Sequence, residues 1–161
     1  LFMSSTGVYE DVSGIVNENS KIDISNILYK AEQVIREFFP QNHSILRLSG
    51  LVGEDRHPVK YFLNKDNIPG GESPVNLIHK EDVIRAIKLL LESRVGGETY
   101  NLSYPDHPSR AVYYNAFSHK FYDKSLNFEK NGKGKTIDGS KFVTHYPYEY
   151  SRPIREIEII P

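Results

Sequence analysis

The strongest constraint on the fold sits in the first nine residues, Leu1-Phe2-Met3-Ser4-Ser5-Thr6-Gly7-Val8-Tyr9. An apolar run breaks there into a hydroxyl-rich turn. A buried strand of an open α/β sheet ends in this way at its carboxyl edge, where ligands bind. Ser44-Ile45-Leu46-Arg47-Leu48 is a second such run, emptying into Ser49-Gly50-Leu51-Val52-Gly53-Glu54-Asp55-Arg56, which reads as a turn. Thr99-Tyr100-Asn101-Leu102 is a third core strand. Helix-period segments separate them. Ile24, Ile27, Leu28, Ala31, Val34, Ile35 and Phe38 recur at helical spacing, with Asp23 or Ser25 as the cap and Pro40 as the stop. Val83, Ile84, Ile87, Leu90 and Leu91 share one face of a second helix that Gly96-Gly97 ends. Strands alternating with amphipathic helices imply βαβ units and a mostly parallel sheet. Three strands make a thin sheet of that kind, so further strands are expected N-terminal to Leu1.

The remaining segments are weaker. Residues 10–22 are polar and read as a loop. Pro58 suits the first turn of a short helix from Val59 to Asn64. Pro69-Gly70-Gly71 forces a turn, and Val75 to Ile78 is a short strand. A helix is expected from Ser109 to about Tyr122. Its aromatics (Tyr113, Tyr114, Phe117, Phe121, Tyr122) have the spacing of core packing rather than of a base-stacking surface. Leu126 to Phe128 is a weak strand, Ser140 to Thr144 a short helix, and Ile154 to Ile160 alternates like an edge strand. Gly132-Lys133-Gly134-Lys135-Thr136 has some likeness to a phosphate loop, but Glu129 stands where that pattern needs glycine. A flexible hairpin turn is the expected structure there.

Composition narrows the partners. Hydrophobic residues make up 39% and charged residues 25%, as in ordinary globular domains. Lys+Arg 20 against Asp+Glu 21 leaves a net charge of −1, which gives no footprint for nucleic acid or an anionic membrane. No cysteine is present, so thiolate metal sites and disulfides are excluded, and a cytoplasmic setting is favoured. No apolar run approaches the roughly 20 residues that cross a bilayer. The histidines at 43, 57, 79, 107, 119 and 145 lack metal-ligand spacing, so no metal is expected.

The order of the pieces is specific. Phe2-Met3-Ser4-Ser5-Thr6-Gly7-Val8-Tyr9 resembles the SSxxVYG strand end of the NAD-dependent epimerase/dehydratases, the extended short-chain dehydrogenase/reductases. Lys30-Ala31-Glu32-Gln33 resembles their K-x-x-A-E-Q helix, and Leu46 to Gly53 their LRxxxxYGP strand end. Val75-Asn76-Leu77-Ile78-His79-Lys80-Glu81-Asp82-Val83 is similar to their IHVDDVA segment, followed by the matching strand Thr99 to Leu102. The resemblance spans residues 1 to about 122 and implies an α/β fold: the C-terminal portion of a Rossmann-like doubly wound parallel sheet plus a small α+β substrate lobe. Residues 1–56 would complete the Rossmann-like domain and 57–78 form the substrate loop region. Residues 79–104 would return to the sheet, and 105–161 form the lobe.

The resemblance also implies NAD or NADP as cofactor and a polar, nucleotide-sugar-like small molecule as substrate, with a homodimer as one assembly open to it. The family's Gly-rich nucleotide turn belongs to its first strand and helix, which are not in this chain. Tight dinucleotide binding by these residues alone is therefore not expected. The family's catalytic Tyr-x-x-x-Lys falls on Ile24 and Leu28, which cannot pass a proton. Tyr61 to Lys65 has that spacing elsewhere, on what reads as a surface helix.

Ser5, four residues before Tyr9, stands where the family carries its catalytic hydroxyl. It either polarises a substrate oxygen or satisfies backbone at the strand end. Ser4, Thr6, Ser49, Gly50 and Leu51 are the implied cofactor contacts. Arg56, His57, Lys60 and Asn76 are the implied substrate contacts, with solvated loop charges as the plainer alternative. His79 suits capping of its own helix better than substrate binding. Loss of the Tyr–Lys pair leaves a non-catalytic dinucleotide or metabolite regulator as the alternative to an enzyme.

Overall fold

A computed structural model describes residues 1–93 and 96–159. In chain order the elements are β1 (Phe2–Ser5), β2 (Gly14–Val16), α1 (Ile27–Phe38), β3 (Ser44–Leu48), β4 (Gly50–Val52), β5 (Leu77–His79), α2 (Lys80–Glu92), β6 (Glu98–Leu102), α3 (Arg110–Tyr122), β7 (Lys135–Ile137) and α4 (Ser140–His145). Short 3₁₀ turns lie at Thr6–Val8, Pro58–Tyr61 and Ile154–Glu156. No described helix is long and apolar enough to cross a membrane.

The central sheet has the order β1-β3-β6 and is wholly parallel, as the alternation of strand and helix patterns requires. Register aligns Ser4, Arg47 and Asn101 across the three strands, and Met3, Leu46 and Tyr100 one residue earlier. Side chains alternate along a strand, so these rows face opposite ways. The apolar row packs on α2 and α4, where Leu46 and Tyr100 meet Val83, Ala86, Leu90 and Phe142. The polar row faces α1. Both connections step the same way across the sheet, yet α1 and α2 lie on opposite faces, so the two crossovers have opposite hand. The excursion through β4, the 53–76 loop and β5 carries the chain from one face to the other.

The face under α1 is held by charge. Glu32 is fully buried and takes Arg47 Nε at 3.0 Å, Arg47 Nη2 at 2.7 Å and the Ser4 hydroxyl at 2.6 Å. Arg47 continues to the Tyr9 hydroxyl at 3.0 Å, which donates to Asn101 Oδ1 at 2.7 Å. Arg36 of α1 reaches Thr99 of β6 at 2.7 Å. The apolar stripe of α1 points elsewhere: Ile27 is 81% and Phe38 71% exposed.

A second core lies beyond the strand ends, where Val52, Val59 and Ile68 pack with Tyr113 and Phe117 of α3 and with Ile154, Ile157 and Ile159. The C-terminal arm is latched to α2 by Asp82. Its Oδ1 accepts from Ser151 N at 3.0 Å and Ser151 Oγ at 2.9 Å, and its Oδ2 from Arg152 N at 3.1 Å.

Several local expectations are corrected. Residues 10–22 contain β2, which pairs in parallel with β7, so Lys135 to Ile137 is a strand rather than the flank of a hairpin. Asn26, not Asp23 or Ser25, caps α1, because Asp23 is already taken by the Ser25 amide and hydroxyl. Residues 50–52 are the strand β4 against β5, not a plain turn. The helix after Pro58 shrinks to a 3₁₀ turn. Leu126–Phe128 makes only one bridge, Phe128 to Ile68, since the Asn115 amide satisfies Leu126 N and O. Ile154–Ile159 is not an edge strand, because burial of Ile154, Ile157 and Ile159 breaks the two-residue period, and Ile160 lies outside the described residues.

Replacing Arg47 by Met leaves Glu32 as an uncompensated buried carboxylate and is expected to cost about 3–5 kcal/mol in urea unfolding. The double variant Arg47→Met/Glu32→Leu is expected to recover most of that loss. Equal losses in single and double variants would contradict the ion-pair account.

Candidate active site

Parallel strands present their carboxyl ends at one edge, and here Ser5 pairs with Leu48 and Leu48 with Leu102. Ser5 Oγ accepts from Gly7 N at 3.0 Å and caps the 3₁₀ turn, which leaves its own O–H as a donor. Thr6 Oγ1 donates to Leu48 O at 3.3 Å and ties that turn to β3. Ser4 points to the opposite face, where Glu32 holds its hydroxyl.

At the end of β3, Ser49 N donates to Leu102 O at 3.0 Å, while Ser49 Oγ is buried with no partner among the described residues. Gly50 N donates to Asn76 O at 2.9 Å. A Cβ at Gly50 would lie 2.8 Å from Leu77 Cδ2 and 3.2 Å from Asn76 O, so a side chain there would have to displace Leu77 and crowd the β5 backbone.

Gly50 and Leu51 share a cavity of about 350 Å³ with Arg56, His57, Lys60 and Tyr61. Two of the residues expected to meet cofactor and three expected to meet substrate therefore line one space. Lys80 takes both Glu54 (3.2 Å) and Asp55, which leaves Arg56 without an ion-pair partner among the described residues. Lys65 of the Tyr-x-x-x-Lys match lies over the Phe62 ring at 5.7 Å.

His57 has a different character from its neighbours. It stacks on Phe117 at 4.1 Å and Tyr113 at 5.5 Å within the second core. Nδ1 accepts from Val59 N at 3.2 Å, so the ring proton sits on Nε2, 3.0 Å from the Tyr113 hydroxyl, which itself donates to Ile154 O. Burial lowers the His57 pKa to about 4. It is a neutral wall of the cavity, and the charge at this loop belongs to Arg56 and Lys60.

Asn76 lies outside this cavity. Its amide donates to Lys135 O at 2.8 Å and accepts from Ile137 N at 2.8 Å, so it holds β7 in place. His79 caps α2 by accepting from Glu81 N at 3.2 Å, and its Nε2 lies 3.4 Å from Glu54. Ile24, at the position where the resemblance expects tyrosine, precedes α1. It lines a second pocket of about 510 Å³ with Gly7, Tyr9 and Lys135. Lys135 Nζ donates to Tyr9 O at 3.0 Å and Glu10 O at 3.4 Å. The sequence reading missed this cation because only the long-range pairing of β7 with β2 brings it to the strand-end turn. The Gly-Lys segment that contains it was the one local signal.

No family model matches the chain. Protein YeeZ of Escherichia coli K12 is 40% identical over 160 residues, covering 95% of this chain and 58% of that protein. Among solved structures, MoeE5 in complex with UDP-glucuronic acid and NAD superposes with a TM-score of 0.79 at 16% identity, over 96% of this chain and 60% of that one. UDP-glucuronic acid 4-epimerase from Bacillus cereus with NAD gives 0.75 at 23% identity, over 96% and 55%. dTDP-glucose 4,6-dehydratase from Bacillus anthracis with NAD gives 0.74 at 15%, over 96% and 57%. The chain therefore spans less than two thirds of each of these proteins, and its fold is the C-terminal portion of the Rossmann-like fold of the three solved structures.

The neutral burial of His57 has a signature in pH. The unfolded ring titrates near 6.5 and the folded one at about 4, so unfolding takes up a proton between those values. The contribution is full above pH 6.5 and is lost as pH falls toward 4, on the order of 3 kcal/mol in all. His57→Gln is expected to flatten that part of the stability profile in urea titrations. Parallel profiles for the two proteins would refute the assignment.

Proposed function

We propose that the full-length protein is an NAD(P)-dependent epimerase/dehydratase-like or reductase-like enzyme acting on a polar, nucleotide-sugar-like small molecule, and that this chain is its substrate-facing C-terminal portion. What supports this reading is that the Ser5 turn and the segment leading into the cavity of Gly50, Leu51, Arg56 and Lys60 leave the sheet at adjacent strand ends, Ser5 being paired with Leu48. The NAD complexes of the structural relatives support the cofactor class.

The residues present fit such a cofactor. Ser49 Oγ is buried and unpartnered at the strand end, where a carboxamide could meet it, and Gly50 is exposed beside it. When bound, the dinucleotide supplies the hydride acceptor or donor. In this reading Thr6 fixes the turn, and Ser5 donates its hydroxyl proton to the reacting substrate oxygen and stabilises charge there. Arg56 and Lys60 hold the anionic part of the substrate, Arg56 with the planar fork that suits a phosphate or carboxylate. His57 shapes the wall, Ser4 acts only through Glu32, and Asn76 acts only through β7. The UDP-glucuronic acid seen with MoeE5 motivates the substrate class.

One observation favours a second reading. Ile24 and Leu28 remove the phenol and ammonium that normally pass the proton accompanying hydride transfer. A protein that binds the dinucleotide and a metabolite without turning them over would tolerate both.

The test uses the full-length protein with NAD or NADP and with UDP-glucuronic acid, UDP-glucose or dTDP-glucose. The enzyme reading expects turnover, a roughly 100-fold drop in kcat for Ser5→Ala, and a roughly tenfold rise in KM with little change in kcat for Arg56→Ala. Firm cofactor binding with no turnover of any of these substrates, and no effect of Ser5→Ala on binding, would leave the regulator.

A further inference from the structure

The loop before β7 holds an asparagine between an amide donor and a carboxylate. Asn131-Gly132 is the one Asn-Gly pair of the sequence, and both residues are exposed. Asn131 Oδ1 accepts from Gly70 N at 2.8 Å, and Nδ2 donates to Glu129 Oε2 at 2.7 Å. The main chain on either side is tied to the turn at Gly70 to Ser73. Glu72 N donates to Asn131 O at 2.8 Å, Gly71 N to Glu129 O at 3.1 Å and Ser73 Oγ to Lys133 O at 3.1 Å. The Gly132 amide donates to no partner among the described residues. Gly132 also packs on the residue that binds the carboxamide, since a Cβ at 132 would lie 2.7 Å from Gly70 Cα. The carboxamide of Asn131 and the residue that follows it thus converge on Gly70.

These groups are the parts of an intramolecular acyl transfer. The Gly132 nitrogen is the nucleophile, joined by the chain itself to the Asn131 carboxamide carbon. Glycine leaves that nitrogen without a neighbouring side chain to crowd it. Gly70 N donates to the oxygen on which negative charge builds when the carboxamide is attacked. Glu129 holds the hydrogens of the nitrogen that must leave, and its carboxylate relays to that nitrogen the proton lost from Gly132 N. Asn19-Ser20 makes the contrast. Asn19 is also exposed, but it makes only a main-chain hydrogen bond, from N to Asn17 Oδ1 at 3.0 Å, and a serine follows it.

We propose that Asn131 is a self-modification site, converted in the folded protein to aspartate and isoaspartate. The bond from Gly132 N to Asn131 Cγ forms and the Cγ–Nδ2 bond breaks. The nitrogen leaves as ammonia, carrying the proton that Gly132 N gave up. Water then opens the succinimide at either carbonyl, and no group is oxidised or reduced. The fold hastens the step because it polarises the carboxamide and holds the leaving nitrogen. Isoaspartate routes the main chain through Cγ, which takes the carbonyl bound by Glu72 N off the chain path and loosens the tie ahead of β7. The proposal does not depend on the cofactor reading, because none of these residues lines the cavity around Arg56.

The test ages the full-length protein in neutral buffer beside a synthetic peptide of residues 127–135. Mass spectrometry of chymotryptic digests follows the amide-to-acid mass gain, and electron-transfer fragmentation separates isoaspartate from aspartate. Asn131 is expected to convert about tenfold faster in the protein than in the peptide, while Asn19 lags behind. Glu129→Gln is expected to bring the protein down to the peptide's rate, with its circular-dichroism spectrum and urea midpoint unchanged. The same substitution in the peptide is expected to change nothing. Conversion in the protein at or below the peptide's rate overturns the proposal, because the hydrogen bonds would then be protecting the amide. So does a rate that Glu129→Gln leaves unaltered, or conversion of Asn19 as fast as that of Asn131.

Discussion

The pairing of Glu32 with Arg47 is the contact on which the sheet depends. An arginine at the centre of a three-stranded parallel sheet is costly to bury unless every donor is met. Glu32 meets two of its nitrogens and the Tyr9 hydroxyl a third. The same carboxylate binds Ser4 of β1, and Tyr9 passes the connection to Asn101 of β6. One buried network thus fixes α1, all three strands and the turn after β1. Because hydrocarbon contacts tolerate sliding and bidentate charge pairs do not, it also sets the register that brings Ser5, Leu48 and Leu102 level.

The site follows from that register. The strand-end turn of β1 is a fixed step, held by Thr6 on Leu48 O and by Asn26 on Gly7 O at 3.1 Å. The loop carrying Arg56 and Lys60 is anchored from three sides: by Gly50 against β5, by Lys80 on Glu54 and Asp55, and by His57 in the aromatic cluster of α3. The Asp82 latch extends the frame to the C-terminal arm, which carries Ile154 and Ile157 into the core beneath His57.

Much of the architecture could be read from local pattern. β1, β3, β6, α2 and α3 announce themselves by their periods, and Ser109, where the helix is expected to begin, is the cap of α3, whereas α2 ends at Ser93, short of the expected Gly96-Gly97 stop. What escaped reading is long-range. β2 and β7 are three-residue strands in polar segments that exist only because they pair with each other. The burial of Glu32 in a helix with an apolar stripe runs against periodicity, because the partner that justifies it lies on another element. At the site, the shared cavity of Gly50, Leu51, Arg56, His57 and Lys60 was legible because these residues are near in sequence. The withdrawal of Asn76 toward β7 and the approach of Lys135 to Tyr9 were not, being set by contacts some 60 and 126 residues apart.

The two borders of the central sheet are finished differently. On β6 the outward amide of Asn101 takes Glu18 at 2.7 Å, and the carbonyl of Thr99 takes Lys141 at 2.9 Å. No described strand pairs with the far side of β1, and the oily stripe of α1 lies bare over the same sheet. A molecule with one sealed margin and one raw margin is adhesive in a single direction. Unless that flank is occupied, such molecules in crowded solution would knit together through it, margin to margin, into ribbons or clumps. A neighbour seated on that flank would act as a guard against aggregation as well as a structural support.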